Sequence, residues 1–400
     1  MEEYAMINKN FVISVGIGYG QLEFIKRLKA HGYKVIGFGK GKNSEEAVSL
    51  CDYTAEIDTR DFEGASAWID SLAVRITAVG SFAGGGAIDV VQRLTNYYHT
   101  HTAIPESLIV GSDKIQQQRM YSKYNLSKIK TWRAKNLSIQ ELSAECSDKM
   151  FIVKPSAGRG SEGVEIVSKQ ELSDMLDKRM IASESVIQVL QRGREYRCML
   201  IVQDRQIKLL APILRESYRG TFFLGRLRYE EKDLSRLRNF FGRFVKSSGI
   251  ISTIIKADVI VSDSRIDVIE MDIGVGGGSY YKKFISRIYG RDIIEEYISL
   301  ITNQNVDSFY VMSPFLRMDY VFNRLRVPVH YDLEECRRVF EQRLGKCELQ
   351  INVLHPERKA DFSSNADFIF TVMYESADGS DAFTADDIAN ELLFKCGVKS

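Results

Sequence analysis

The sequence predicts a chain of mixed class, an α/β segment followed by α+β lobes, and three observations predict it. Residues 10–110 alternate short apolar runs with stretches of helical spacing. Around Ser112 the pattern changes to a long polar helix followed by closely spaced strands. After Leu300 the composition shifts again, with strands and helices side by side. At 400 residues the chain is too long for one core and divides into about two or three lobes.

Phe11–Val15 is a continuous apolar run ended by glycines, which reads as a first strand. Gln21–His31 carries Leu22, Phe24, Ile25 and Leu28 at near-helical spacing, and Gly32 stands where a C-cap belongs. Lys34–Phe38 is the next strand, Glu45–Leu50 a helix, and Tyr53–Ile57 a strand. Ala78–Phe82 is another strand, stopped by the cluster at Gly84–Gly86. Strands separated by helical stretches imply βαβ units and a parallel sheet. Asp113–Tyr124 is then a long polar helix, and Trp132 opens a run of mixed strands. Phe151–Lys154, Val164–Val167, Ser185–Leu190 and Tyr196–Val202 read as strands, with a helix at Ser168–Lys178. The last region holds strands at Glu348–Val353 and Asp367–Tyr374 beside helices at Leu333–Leu344 and Thr384–Phe394.

Composition excludes several function classes. Lys+Arg number 54 against 53 Asp+Glu, a net charge of +1. There is no global basic field for nucleic acid and no basic tract for a membrane surface. A hydrophobic share of 44% and a charged share of 27% suit a folded chain, not a disordered one. The start, MEEYAMINKN, is acidic and polar before a short apolar run, so it reads as the approach to a strand and not as a signal peptide. No run approaches the roughly 18 apolar residues of a membrane span. The six cysteines are scattered with no CxxC pair, as expected of buried, reduced thiols in a cytoplasmic protein. His99 and His101 lack further ligands nearby and are not read as a zinc site.

Gly16-Ile-Gly18-Tyr-Gly20 follows a strand and opens a helix, which invites a dinucleotide-binding reading. The spacing is GxGxG, not GxGxxG, and the second strand ends Phe38-Gly39-Lys40 where an acidic residue would hold a ribose. Lys40 suits a 2′-phosphate on charge alone, so an NADP-dependent oxidoreductase stays as a rival. The simpler reading is that these glycines let the first turn pass close to the helix.

Four pieces in a fixed order point elsewhere. Gly111-Ser112-Asp113-Lys114 heads a helix, and Phe151–Lys154 is a strand ending in a lysine. Residues 156–163 form a glycine-rich loop, Ser-Ala-Gly-Arg-Gly-Ser-Glu-Gly. Val186–Leu190 leads to Gly193-Arg194-Glu195, and Asp258–Val261 turns at Ser262–Arg265 into Ile266–Asp272. Nucleotide phosphates need cations and backbone N–H groups, which lysines and a glycine loop supply. Magnesium needs hard oxygen donors. Asp258 and Glu270 lie on two strands joined by a tight turn, so they can sit side by side. Asp272, two residues after Glu270, points to the same face. Three carboxylates in one patch repel unless a cation holds them.

These motifs resemble the ATP-grasp superfamily over roughly residues 8–305, of the carboxylate–amine ligase type, with lobes like those of biotin carboxylase and carbamoyl phosphate synthase. The resemblance implies a Rossmann-like domain over 1–110 and an ATP-grasp domain over 111–305. The latter would divide into a small lobe at about 120–187 and a large lobe at about 188–305, with a small α+β C-terminal lobe over 306–400. It implies ATP and two magnesium ions, for which manganese can substitute. Lys114 and Lys154 would contact phosphates, and Gly158, Arg159, Gly160, Ser161 and Gly163 would belong to a mobile lid. Gln188, Val189 and Leu190 would read adenine, with Gln188 offering an amide oxygen where an acidic residue is common. Glu195 would hold the ribose hydroxyls and Ile260 would pack under the base. Asp258, Glu270 and Asp272 would hold the metal.

The family's last motif is commonly Glu-x-Asn followed by Pro-Arg, whereas here Glu270-Met-Asp272 precedes Ile273-Gly274. With that arginine absent, Arg215, Arg219, Arg226 and Arg228 are the candidates for stabilising the transferred phosphoryl group, and Arg215, Arg226 and Arg228 are taken as catalytic. Gly274–Gly278 and these arginines would line the acceptor side. The implied reaction joins a small-molecule carboxylate to an amine through an acyl phosphate, in the cytoplasm, with ADP and phosphate released. Residues 306–400 would cover the site or form a homodimer contact. Rival readings are a carboxyphosphate-forming carboxylase of the same fold and a catalytically silent ATP-binding protein.

Overall fold

The computed structural model describes residues 10–82, 86–111, 113–144, 149–156, 163–218, 221, 223–275, 279–322, 333–351, 368, 370–376, 385 and 387–389. The first part is a parallel sheet of β1 (Phe11–Val15), β2 (Lys34–Phe38), β3 (Tyr53–Ala55) and β4 (Ile76–Gly80), in the order β3-β2-β1-β4. Helices α1 (Leu22–Ala30), α2 (Glu45–Leu50), α3 (Phe62–Ser71) and α4 (Gly86–Tyr97) connect or follow the strands. Local chemistry fixes their starts. Ser44 caps α2 by accepting from the Ala47 N–H, and Asp61 caps α3 by accepting from the Gly64 N–H. Every residue of β1 is buried, as a parallel strand covered on both faces requires.

Two of the sequence expectations shift here. β3 ends at Ala55 and not at Ile57. β4 runs from Ile76 to Gly80, two residues earlier than expected. Past Gly80 the ladder gives way to side-chain contacts. The Ser81 hydroxyl donates to the Val15 carbonyl at 2.6 Å, and the Phe82 N–H donates to Gln21 Oε1 at 2.7 Å.

Next come α5 (Lys114–Lys123), β5 (Thr131–Arg133), α6 (Ile139–Ser143), β6 (Met150–Lys154), β7 (Glu165–Ser168), α7 (Lys169–Asp177) and β8 (Val186–Val189). Their strands form an antiparallel sheet of order β5-β8-β6-β7. Ser138 opens α6 and Ser168 opens α7, each in a capping box with the glutamate three residues on.

The third sheet has eight strands. It uses β9 (Arg194–Gln203), β10 (Gln206–Ser217), β11 (Leu224–Tyr229), β12 (Thr253–Val261), β13 (Ile266–Ile273), β14 (Leu316–Val321), β15 (Cys347–Ile351) and β16 (Phe370–Glu375). The order is β13-β12-β9-β10-β11-β14-β16-β15, antiparallel throughout. Helix α8 (Leu234–Ser248) covers one face, burying Leu237, Phe241, Phe244 and Val245 against Tyr196, Cys198 and Leu200. Gly249, at φ 80°, ends it in the left-handed conformation that favours glycine.

Helices α9 (Ser279–Tyr289) and α10 (Ile293–Ile301) cover the other face. Here one apolar cluster joins the parallel sheet to the eight-stranded sheet, from Phe24 and Phe82 through Tyr297 and Phe284 to Met199 and Leu227. Tyr297 lies 5.3 Å from Phe82 and 5.8 Å from Phe24, ring centre to ring centre. Each such aromatic contributes about 1.5–3 kcal/mol on burial. Helix α11 (Leu333–Leu344) matches its expected range. Of the helix expected at Thr384–Phe394, Ala385 and residues 387–389 are described and are helical.

Candidate active site

Lys114 is the first residue of α5. Asp113 before it accepts from the Ile115 and Gln116 N–H groups, which sets the start of the helix, and also accepts from Arg133 Nη2 at 2.7 Å. The Lys114 ammonium donates to the Pro155 and Ser156 carbonyls at 3.0 and 3.3 Å. It therefore stands at the end of β6, beside Lys154. Burial first, and then the Lys114 charge, push the Lys154 ammonium down to about 8, with Glu270 opposing them. Two cations held this close repel each other, which an anion between them would relieve.

Strand register builds the other half of the site. Across β12 and β13, Asp258 pairs with Glu270 and Lys256 with Asp272, while across β9 Asp258 pairs with Arg197. Direct partners share a face, so Arg197, Lys256, Asp258, Glu270 and Asp272 all project one way. Arg197 binds Asp258 through Nε at 2.9 Å and Nη2 at 3.0 Å. Lys256 Nζ is 3.4 Å from Asp258 and 4.0 Å from Asp272. The repulsion that the sequence alone assigns to a metal ion is thus met by two side chains of the protein. Sequence reasoning missed both. The signal was alternation, since Lys256 is two residues before Asp258 and Arg197 two after Glu195.

One cavity collects the parts. Lys114, Lys154, Glu270 and Asp272 line it, with Asp89 and Gln92 of α4 closing one wall. The Gln92 amide donates to the Ile273 carbonyl, which ties α4 to the end of β13. Asp258 lies on the same sheet face but is buried under Arg197 and does not line the cavity.

Among the described residues, no group of three His, Cys, Asp or Glu side chains comes close enough to hold a metal by itself. Magnesium does not need one, because it is commonly held by one or two carboxylates together with nucleotide phosphates and water. Glu270 and Asp272, hard oxygen donors at the cavity wall beside two lysines, fit that ion.

Glu195 accepts from Arg215 Nη1 at 2.8 Å, and its cross-strand partner on β12 is Ile260. Burial pushes the Glu195 carboxyl up, with Arg215 acting against it. Arg215, Glu195 and Ile260 therefore share the face of Asp258. Arg226 and Arg228 do not. Arg226 pairs with Glu216 in the β10–β11 ladder, one step out of phase with Arg215, which places it on the opposite face. There Arg226 is fully buried, donating to Asp319 at 2.6 and 3.1 Å and to the Tyr374 hydroxyl at 3.3 Å. Arg228 is held by Glu216 at 3.0 Å and Glu230 at 2.9 Å. None of Arg215, Arg226 and Arg228 lines the cavity.

On β8, the Gln188 amide donates to Thr131 Oγ1 at 2.9 Å. The Val189 and Leu190 N–H groups donate to the Lys130 and Met150 carbonyls at 3.2 and 2.9 Å. Gly163, at φ 64°, closes the glycine loop. Gly158, Arg159, Gly160 and Ser161 lie outside the described residues, as do Arg219 and Gly276–Gly278.

The first glycine turn has a packing role. The Gly16 N–H donates to the Phe38 carbonyl at 2.9 Å, and a Cβ on Gly37 would meet Ile17 at 2.4 Å. No helix among the described residues is long and apolar enough to cross a membrane.

No family profile matches the chain, and no curated protein matches its sequence. Solved structures do. Phosphoribosylglycinamide synthetase from Anaerococcus prevotii superposes with a TM-score of 0.65 at 15% identity, covering 97% of this chain and 98% of its own. L-amino acid ligase from Bacillus licheniformis gives 0.69 at 13% identity, covering 96% and 98%. An Aspergillus clavatus N5-carboxyaminoimidazole synthase, in complex with ADP and an aminoimidazole ribonucleotide, gives 0.69 at 8% identity, covering 98% and 100%. With matches over nearly its whole length and the order of elements described above, the chain has the ATP-grasp fold.

Proposed function

We propose that the chain is an ATP-dependent ligase that activates a carboxylate as an acyl phosphate and joins it to an amine. The observation that carries this reading is the convergence of Lys114, Lys154, Glu270 and Asp272 on one cavity. Two cations face two carboxylates there, which suits a triphosphate that needs charge neutralised at one end and a hard cation at the other.

A carboxylate oxygen attacks the γ-phosphorus, the bond to the β–γ bridging oxygen breaks, and ADP leaves with that electron pair. The amine nitrogen then attacks the acyl carbon, the C–O bond to phosphate breaks, and the amine gives up a proton. Lys114 and Lys154 hold the phosphates and offset the charge that gathers on the bridging oxygen. Magnesium, held by Glu270 and Asp272, would supply further charge neutralisation at the phosphates. Arg197 and Lys256 keep Asp258 ionised and in place behind them. Glu195, set by Arg215, would receive the ribose hydroxyls with Ile260 under the base.

A carboxyphosphate route uses the same ATP residues with bicarbonate as the carboxylate, and the N5-carboxyaminoimidazole ribonucleotide synthetases among the matched structures favour keeping it as the second reading. We also assign the protein to the cytoplasm. Burial pushes the Cys51 thiol up to about 12 and Cys198 well above its usual range, and both are free thiols.

A screen of amino acids in pairs for ADP release tests the reading. Release that needs both a carboxylate and an amine supports the ligase, and release that needs bicarbonate moves it to the second route. Hydroxylamine added without amine should trap a hydroxamate in equal amount to ADP. Formation of AMP and pyrophosphate would overturn the mechanism.

A further inference from the structure

Between the parallel sheet and the large sheet lies a cation that none of this chemistry uses. Lys282, on α9, is 5% exposed. Its ammonium donates to the Phe82 carbonyl at 3.3 Å and stands 4.3 Å from the centre of the Phe82 ring. No carboxylate among the described residues comes within ion-pair distance of it, and burial alone pushes it down to about 7. Its neighbour Lys283, by contrast, is half-exposed and paired with Glu348. A buried ammonium without an anion is costly, so a stable protein gains nothing from it at rest.

Its place in the fold says what it is for. Phe82 lies just beyond β4, and Ser81 before it is bonded to Val15 at the end of β1. The sheet order β3-β2-β1-β4 puts β2 on one side of β1 and β4 on the other. The C-terminal ends of β1 and β4 therefore form the switch point at which open parallel sheets take their ligands. On the other side, Tyr281 donates to the Arg197 carbonyl at 3.0 Å, next to the Asp258 cluster. Ile88 and Asp89, in the first turn of α4, line the phosphate cavity. Lys282 thus stands between the switch point and the carboxylate cluster.

We propose that Lys282 is the anion-binding residue of a substrate subsite at the C-terminal ends of β1 and β4, taking a carboxylate or phosphate oxyanion of the molecule to be ligated. This deepens the ligase reading and rests on it. The Phe82 carbonyl and ring hold the ammonium in position without neutralising it, and an arriving oxyanion supplies the missing charge.

The test uses the intact wild-type protein. Acylation of Lys282 by acetic anhydride at mildly alkaline pH is read by peptide mass spectrometry, with Lys283 as the internal reference. Acetate and inorganic phosphate are the two probes, each with ADP and magnesium present. Protection of Lys282 by acetate alone assigns a carboxylate, by phosphate alone a phosphate ester, and by both a general oxyanion site. Unchanged acylation with both probes overturns the proposal. Lys282→Met should weaken the protecting probe by about 10–100-fold, from the loss of one charged hydrogen bond, and leave ADP affinity as it was. The same substitution should raise Tm, because it removes a buried lone charge, and Lys282→Gln serves if the methionine variant does not fold. Calorimetry keeps the two readings apart. If the wild type fails to bind ADP, the ligase reading falls, whereas ADP binding with no protection of Lys282 sinks the subsite alone.

Discussion

Arg197 grips Asp258 with two parallel hydrogen bonds, Nε to Oδ1 at 2.9 Å and Nη2 to Oδ2 at 3.0 Å. Burial alone would push the Asp258 carboxyl up, but Arg197 and then Lys256 outweigh it and hold the group well below the usual carboxylate range. Arg197→Met should therefore cost about 3–5 kcal/mol in urea denaturation, the usual result of breaking a buried pair from one side. Adding Asp258→Asn should recover most of that loss. The sign with pH follows from the depressed value. Stability from Asp258 is complete above the ordinary aspartate pKa of about 4 and drains away as pH falls below it. The double variant should lose less stability than the wild type over that acid range.

Burial and then the Lys114 charge push the Lys154 ammonium down to about 8, so above that pH an anion must bind a neutral amine or bring a proton with it. ADP affinity measured by calorimetry should fall by up to about tenfold per pH unit above that value. Lys154→Met should abolish ATP turnover and flatten this pH profile, with circular dichroism unchanged. A flat profile in the wild type would remove Lys154 from the phosphates.

The carboxylates should not behave alike. Glu270 lines the cavity and Asp258 lies under Arg197, so Glu270→Gln should raise the magnesium requirement more than Asp258→Asn does. Asp272→Asn should be the mildest of the three, since the amide keeps an oxygen donor at the cavity wall and Lys256 stands beside it. Magnesium titrations of ATP turnover would read all three. Equal shifts for Glu270→Gln and Asp258→Asn would mean that Asp258 leaves Arg197 to ligate the ion directly.

Two of the arginines separate by function. Arg226→Met should destabilise by about 3–5 kcal/mol by taking away the guanidinium that faces the buried Asp319 carboxylate, and Arg226→Met with Asp319→Leu should return near wild-type stability. Arg215→Met should instead raise KM for ATP with little change in kcat, because it frees Glu195 from its setting on the nucleotide side. A loss of kcat with KM unchanged in Arg215→Met would place that side chain at the transferred phosphoryl group.

How much of this was legible in the sequence depended on the distance over which each feature is encoded. The turn at Ser262–Arg265 fixes the partner of Asp258 locally, and the structure pairs it with Glu270 as that spacing implies. The helix head at Asp113 and Lys114 was visible for the same reason. β10 went unread because Pro212 interrupts its apolar run and cannot donate to a ladder, although the strand continues through it between β9 and β11. β11 and β14 are stabilised by each other, and nothing within either segment names a partner so far along the chain. The helix α8 was missed despite a signal, since Leu237, Phe241, Phe244 and Val245 recur at helical spacing. The arginine candidates were drawn from proximity in sequence, whereas strand parity decides which face each occupies.

The pairing of β11 with β14 also governs how the protein can be taken apart. Arg226 faces Asp319 across that ladder, so a chain cut after Asn305 would uncover the flank of β11 and strand a buried guanidinium at the same stroke. Such a fragment presents a ready template for another chain to add to, and it should associate with copies of itself. Supplying residues 306–400 as a separate polypeptide should suppress that association by completing the sheet in trans. The two halves would then behave as one split protein, with ATP-dependent turnover returning only when they are mixed.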